Sequence, residues 1–419
     1  MEENPMPRIG RFPPFCKRFF RRVRKLLGSC HFAHFWRVVV ALASMQGRRN
    51  MRKIEAACRN HHTRQSIGFF LNKAHWNAPE MLAETAMDTL RQLGWKKGMA
   101  VELILDDTQK KKRGKQMDAV SRIFLHAEKV YAEGHTILGC AILFRNVVIP
   151  YAVRLWVTES FAKSTHRPSY DGDPIEFCKL TTMAASIIQD APLDNVTVLF
   201  DSYYLCPAVT RACESKKYRY IGVAKKNRNF FPDGRDHDKR RLSQYGPNVL
   251  KRDGRWTSVK GKSYRLAERV GRLSKLGRVK LVFSRRSREK GWICMTTNAT
   301  RWGVTRVLSY YLNRWPIEVL FKESKQYLGL GDYQVLRYRS IERYLCLVLI
   351  AHLLLTHLAA SAPGAKADDQ AKALDLKSVP QRQQTLRSMI WDDAVSAMET
   401  GSRNRRVGKK LKSMILLET

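Results

Sequence analysis

The chain has 419 residues, of which 76 are Lys or Arg and 37 Asp or Glu, for a formal charge of +39. An apolar content of 44% excludes a disordered polyelectrolyte, and the length allows two or three domains around a sizeable core. Nine cysteines without regular spacing exclude a disulfide framework and point to a reducing cytosol, while the positive field selects polyanions, nucleic acid first among them.

Residues 1–60 hold fourteen Lys/Arg against three acids, with Phe19, Phe20, Phe32, Phe35 and Trp36 interleaved. No apolar region with a small-residue cleavage site follows "CKRFFRRVRKLL", so the segment does not read as a signal peptide. "FWRVVVALASM" and "MRKIEAACR" predict short helices, and "NHHT" predicts a turn and N-cap before "RQSIGFFLNKAHW". Two short helices across a tight polar turn fit a helix-turn-helix that places Arg64 and Gln65 near a DNA groove; a helical bundle with a solvated basic face fits them equally. Cys30, His31 and His34, like Cys58, His61 and His62, lack finger-like spacing, so buried thiols and surface histidines are preferred to structural zinc. An amphipathic helix over 79–95 closes a basic helical DNA-binding region, 1–98.

From residue 100 the period changes. "MAVELILDD" is a strand ending on acids, "HTILGCAILF" and "VVIPYAVRLWV" form a hairpin, and "DPIEFCKLTTMAASIIQDA" is helical. "NVTVLFD" is a further strand ending on an acid, and "YRYIGVAKK" another after an intervening helix. This gives a mixed α/β sheet over 99–225. Residues 226–300 are basic and turn-rich, with a hairpin in "RVKLVFSRR" and "GWICMTTN", and read as a β-rich insertion. Residues 301–361 return to the core with one charged helix and the apolar run "YLCLVLIAHLLLTHLAAS", which is near membrane-spanning length but interrupted by His352 and His357, and so reads as a core helix rather than a span. "SAPGAKADDQAKALDLKSVPQRQQ" is a linker or loose helix within a basic C-terminal region for DNA or partner binding, 362–419.

Two strands share one form, an apolar run with an aspartate at its carboxyl end: "ELILDDT" at Asp106/Asp107 and "VTVLFDS" at Asp201. Adjacent strand tips can gather distant carboxylates, and such a cluster is costly to desolvate unless it is paired or holds a cation. Hard oxygen donors favour Mg²⁺ or Mn²⁺, and a third acid from a helix would complete a two-metal centre for phosphodiester chemistry.

"NRWPIEVLFKESK" supplies that acid. Asn313 is a fitting N-cap and Pro316 falls in the first turn. At roughly 100° per residue, Arg314, Glu318 and Lys325 lie within about 40° of one another, and Gly329 and Gly331 end the helix. A glutamate between cations is also an ordinary salt-bridged helix face, and spacing decides between the two readings.

Tyr311-x2-Arg314-x3-Glu318-x6-Lys325 resembles the Y-x2-R-x3-E-x6-K signature of a large group of bacterial insertion-sequence transposases, DDE enzymes with an RNase H-like core and a β-strand insertion before the glutamate. "LDDT" and "FDSYY" look like the group's first and second aspartate motifs, and the resemblance covers about residues 100–335. It implies a cytoplasmic, nucleoid-associated enzyme that binds terminal inverted repeats and target DNA as double strands, as a homodimer when DNA-bound, and performs cut-and-paste strand cleavage and transfer. Asp106, Asp201 and Glu318 would be catalytic and hold two Mg²⁺ (or Mn²⁺) ions, with Asp107 the alternative to Asp106 because alternation turns only one of them into the site. Tyr311, Arg314, Lys325 and Lys322 would contact DNA, joined by Lys110, Lys111, Lys112 and Arg113, although a charge run is usually a solvated face. Trp315 and Trp292 are candidates for base stacking, with core packing the default. The other functions open to such a chain are an inactive DNA-binding transposase derivative and an RNase H-like hydrolytic nuclease.

Overall fold

The computed structural model describes residues 12–58, 62–114, 116–125, 128–164, 174–360 and 378–401. Most of the expected linker, the basic stretch at 402–413 and part of the "NHHT" turn lie outside them. Five helices lead: α1 (Lys17–Leu26), α2 (Ser29–Ser44), α3 (Met51–Ala57), α4 (Arg64–Asn72) and α5 (Ala78–Gln92). α1 turns Phe19, Phe20 and Val23 inward and leaves all of its Lys and Arg residues exposed. Side-chain caps fix three starts: Asn50 accepts from Lys53 N, Thr63 from Ser66 N and Asn77 from Glu80 N. Residues 38–43 of α2 are buried all round, which makes it a central helix rather than a surface one.

The sheet follows in the order β1 (Val101–Lys111), β2 (Ser121–Leu125), β3 (Val130–Phe144), β4 (Val147–Leu155), a short α6 (Glu159–Ser164), α7 (Leu180–Asp190), β5 (Val196–Leu199), α8 (Pro207–Ser215) and β6 (Arg219–Val223). β7 (Asn229–Phe231), β8 (Arg240–Arg241), α9 (Leu242–Asp253), β9 (Arg255–Val259), β10 (Lys262–Leu273), β11 (Gly277–Arg286) and β12 (Ile293–Thr297) continue it. α10 (Val304–Leu312), α11 (Pro316–Tyr327), α12 (Tyr338–Ala360) and α13 (Val379–Gly401) complete the described elements. One twelve-stranded mixed sheet runs β2-β3-β1-β5-β6-β12-β11-β10-β7-β8, with β4 on β3 and β9 on β10. β4, β3 and β1 are antiparallel neighbours, whereas β1, β5 and β6 are parallel.

The strands at the sheet's centre fall where their apolar runs predict them, and the differences have local causes. β1 runs past the acids to Lys111 because β3 begins at Val130, earlier than its apolar stretch, and supplies a ladder partner as far as Gly134. α7 covers only the second half of the expected helix; residues 174–179 are non-helical, and the Trp156 indole donates to the Cys178 carbonyl there at 3.1 Å. The basic segment read as turns contains α9, whose Leu242, Val249 and Leu250 are buried at helical spacing. The expected β11–β12 hairpin is present, and β12 pairs antiparallel with β6, so the insertion extends the core sheet.

α12 has the length and apolarity to cross a membrane, yet 94% of its apolar window is buried inside the protein, among α2, α4, α5, β4 and α13. Arg343 on α12 is buried and donates to the carbonyls of Phe70, Leu71, Ala74 and Trp76, which closes the carboxyl end of α4 where helix carbonyls lack intrahelical donors. The leading helices are thereby tied to the same core as the sheet.

Candidate active site

β1 and β5 lie parallel, with Ile104 opposite Leu199 as the last pair. Asp106 and Asp201 each stand two residues beyond that pair, so the register brings both acids to one edge of the sheet. Beyond β5 the chain turns sharply: Asp201 Oδ1 accepts from the backbone N–H of Tyr203 at 2.8 Å and of Tyr204 at 3.4 Å.

Alternation separates the two neighbouring acids of β1. Asp106 is paired with Gly139 of β3, and a Cβ on Gly139 would lie 2.5 Å from the ring of Phe321 on α11. That glycine lets α11 settle directly over the face that carries Asp106. Asp107 is turned to the opposite face and accepts from the Tyr204 hydroxyl at 2.9 Å.

α11 delivers the remaining groups. Arg314 Nη1 donates to Asp106 Oδ2 at 2.9 Å, and Nη2 donates to Glu318 Oε1. Tyr311 is half-buried beside the same guanidinium; burial pushes its hydroxyl up and the Arg314 charge opposes that shift. Lys325 donates to Thr108 Oγ1 and to the Gln109 carbonyl, the latter at 2.9 Å, and so fastens the far end of α11 along β1. Burial pushes the Lys325 ammonium down to about 8, with Lys110 adding repulsion. The helix begins later than its sequence suggests: Asn313 ends α10, Tyr311 belongs to α10, and Trp315 takes the N-cap position of α11. Leu328 closes it, and Gly329 follows in the left-handed region at φ +77°.

Asp106 carries the electrostatic load of the site. Burial pushes its carboxyl up to about 7; Arg314 opposes the shift, and the charges of Asp107 and Asp201 add to it. A carboxyl raised in the folded state binds its proton more tightly folded than unfolded. Stability of the cation-free protein therefore declines as pH rises from the ordinary carboxylate range toward about 7, and the loss persists above it. Asp106→Asn is expected to raise the cation-free melting temperature at about pH 8 and to leave it little changed at about pH 4; a lower melting temperature at the higher pH would contradict this electrostatic assignment.

The donor set is one of hard carboxylate oxygens around an over-concentrated negative charge, which suits Mg²⁺ or Mn²⁺ chemically. Among the described residues, no three His, Cys, Asp or Glu side chains are gathered tightly enough to hold a metal ion as they stand. At the acids, the Arg314 guanidinium bridges Asp106 and Glu318.

The other sequence candidates divide by exposure. Lys111, Arg113, Lys322 and Arg64 are exposed, and Lys110 is half-buried. Lys112 is a correction: it is buried, donates to the Gly331 and Tyr333 carbonyls at 3.0 Å each, and lies over the Tyr333 ring, so it is not offered to DNA. Trp315 is a second correction, being 61% exposed rather than a core residue. Trp292 is half-buried against Phe283 and Lys226.

Sequence reasoning missed a clamp beside the motif. Asn313 donates to Glu102 Oε1 at 2.8 Å and accepts from Lys260, which sits in the turn between β9 and β10. Burial pushes Glu102 up to about 7, opposed by the Asn313 hydrogen bond and the Lys260 charge. Glu102 shares the β1 face of Asp106 by alternation, a signal present in "VELILD"; nothing in the sequence marks Lys260.

A family model described as DDE superfamily endonuclease matches residues 30–274, more than half of the 419. The match takes in Asp106 and Asp201 and stops before Glu318. Comparison with curated proteins finds no match. The family implies an enzyme of nuclease or transposase type with a DNA substrate, and its members generally use divalent metal ions. With the matched segment spanning both strand-end aspartates and the sheet that carries them, the chain belongs to the DDE superfamily endonucleases.

Proposed function

We propose that this protein is the DNA transposase of an insertion sequence, cutting at terminal inverted repeats and joining the freed strand to target DNA. The observation that carries the proposal is the docking of α11 on β1, which sets Glu318 and Asp106 on a single guanidinium while Asp201 stands level with Asp106. The strand order β4-β3-β1-β5-β6, antiparallel then parallel, supports an RNase H-like core, and β7 to β12 supply the strand-rich insertion before the glutamate.

Asp106, Asp201 and Glu318 are the residues proposed to hold two Mg²⁺ or Mn²⁺ ions, which when bound would polarise the scissile phosphate and ease ionisation of the attacking oxygen. The chain's own contributions are positional. Lys325 holds α11 in register along β1, Arg314 bridges two of the acids with Tyr311 beside it, and Lys111, Arg113 and Lys322 add exposed positive charge. A net charge of +39 draws the DNA backbone to this surface. By the same reading the enzyme acts as a homodimer on two transposon ends in the bacterial cytoplasm.

Gly139→Val is expected to leave a folded protein, about 1–3 kcal/mol less stable, in which α11 is lifted and cleavage is lost. Circular dichroism with a cleavage assay checks this, and a folded variant of full activity would contradict the docking argument. The proposal itself is tested with a pre-cut donor end bearing a free 3′-OH, incubated with plasmid DNA and Mg²⁺ or Mn²⁺. Joined products are expected; cutting without joining would identify a hydrolytic nuclease instead, and binding without either would identify an inactive derivative.

A further inference from the structure

Arg314 is bonded to the acids instead of standing clear of them. Its two terminal nitrogens donate to Asp106 Oδ2 and Glu318 Oε1, and the three side chains are only 17%, 17% and 34% exposed in the order Arg314, Asp106, Glu318. Two carboxylates assigned above to divalent cations thus already share one positive charge that belongs to the chain. A guanidinium bridging both oxygens and a divalent ion on the same oxygens are mutually repelling alternatives.

We infer that Arg314 is a resident counter-ion that competes with divalent cations for Asp106 and Glu318, and that its transfer to a DNA phosphate couples cation loading to DNA engagement. The inference rests on the metal-centre reading above and adds an order of events to it. In the DNA-free protein the guanidinium holds the acids together and makes cation binding weak. A backbone phosphate offers Arg314 a bidentate partner of the same geometry as a carboxylate pair. Once the guanidinium turns to it, the acids are left with uncompensated charge and take up cations more strongly. Thermodynamic reciprocity then requires cations to strengthen DNA binding by the same factor.

The local structure permits the exchange. Arg314 lies in the 313–315 turn between α10 and α11, so its side chain can swing without unwinding the helix that carries Glu318. Tyr311, one turn earlier and half-buried, lies close enough for its hydroxyl to feel the Arg314 charge.

Isothermal calorimetry with Ca²⁺ tests the inference without turnover. Arg314→Gln, which keeps length and hydrogen bonding but removes the charge, is expected to bind Ca²⁺ about tenfold more tightly than the wild type in the absence of DNA. A short duplex of mixed sequence is expected to tighten Ca²⁺ binding by the wild type and to have little effect on Arg314→Gln. Should that variant fail to fold, Arg314→Lys serves, since a point charge pairs with one carboxylate at a time and predicts an intermediate gain. Equal or weaker Ca²⁺ binding in the folded variants, or a duplex effect that survives the substitution, would overturn the inference while leaving the metal centre standing. Absence of Ca²⁺ binding in both wild type and variant, with and without duplex, would instead remove the metal-centre reading and this inference with it.

Discussion

Glu318→Gln and Asp201→Asn are each expected to lower strand cleavage on the order of a thousandfold, the scale on which losing one preorganised electrostatic partner is felt, while duplex binding stays nearly intact. Both replacements keep side-chain volume, and Gln at 318 still offers Arg314 an acceptor. Neither residue is a plausible phosphate contact, because each is negative in a chain carrying +39. Removing one acid should leave non-specific affinity unchanged or slightly higher, and leave its salt dependence intact. The pattern to look for in gel-shift and nicking assays is therefore bound but uncut DNA. Cleavage retained by either variant sinks the assignment of that acid, and loss of both binding and cutting would mean that the fold had been damaged.

Lys112→Ala has the largest expected effect on stability, about 2–4 kcal/mol. Its side-chain nitrogen, pushed down to about 7 by burial, donates to two carbonyls of the segment that follows α11 and lies over the Tyr333 ring, 3.3 Å from the centroid. Tyr333 in turn meets the buried His135 at 2.6 Å, and burial pushes that imidazole down to about 4, so it is neutral at ordinary pH. Removing the lysine leaves the Gly331 and Tyr333 carbonyls without their donor and loosens the anchor below the glutamate helix. Lys111→Ala and Arg113→Ala, both exposed, should cost almost nothing in stability and reduce the salt slope of DNA binding by about one each. Denaturant titrations of the three variants separate the roles; an Lys112→Ala protein as stable as the wild type, with a shallower salt slope, would return Lys112 to the DNA interface.

The run "KKKR" shows where sequence reading stops. Four consecutive cations look alike, yet the Lys112 N–H donates to the Glu133 carbonyl and its side chain is directed inward, while Lys111 and Arg113 face outward and Lys110 is half-buried. That difference is set by a segment more than two hundred residues away, and no local pattern records it. The acids were more legible because their signal is local: each follows an apolar run, and alternation along β1 already limits the site to one of Asp106 and Asp107. Which of the two faces α11 became clear only through Gly139 and Phe321, a contact between distant segments. The spacing of Arg314, Glu318 and Lys325 described one face correctly, although Arg314 stands ahead of the helix and Asn313 serves a clamp to Glu102 and Lys260 rather than the N-cap of α11. The joining of the insertion to the core through β6 and β12 was not legible for the same reason, being a long-range pairing of two short strands.

Asp106, Asp201 and Glu318 are proposed to form a cation-dependent DNA-cutting centre. The direct measurement is strand cleavage by the wild-type protein on duplexes taken from the DNA flanking its coding sequence, where the proposal expects inverted repeats, with Mg²⁺, with Mn²⁺ and with chelator. Nicking at the repeat end that leaves a 3′-OH, present with either cation and absent with chelator, is the predicted result. Intact substrate under all three conditions, from a protein that binds the repeats, would contradict it.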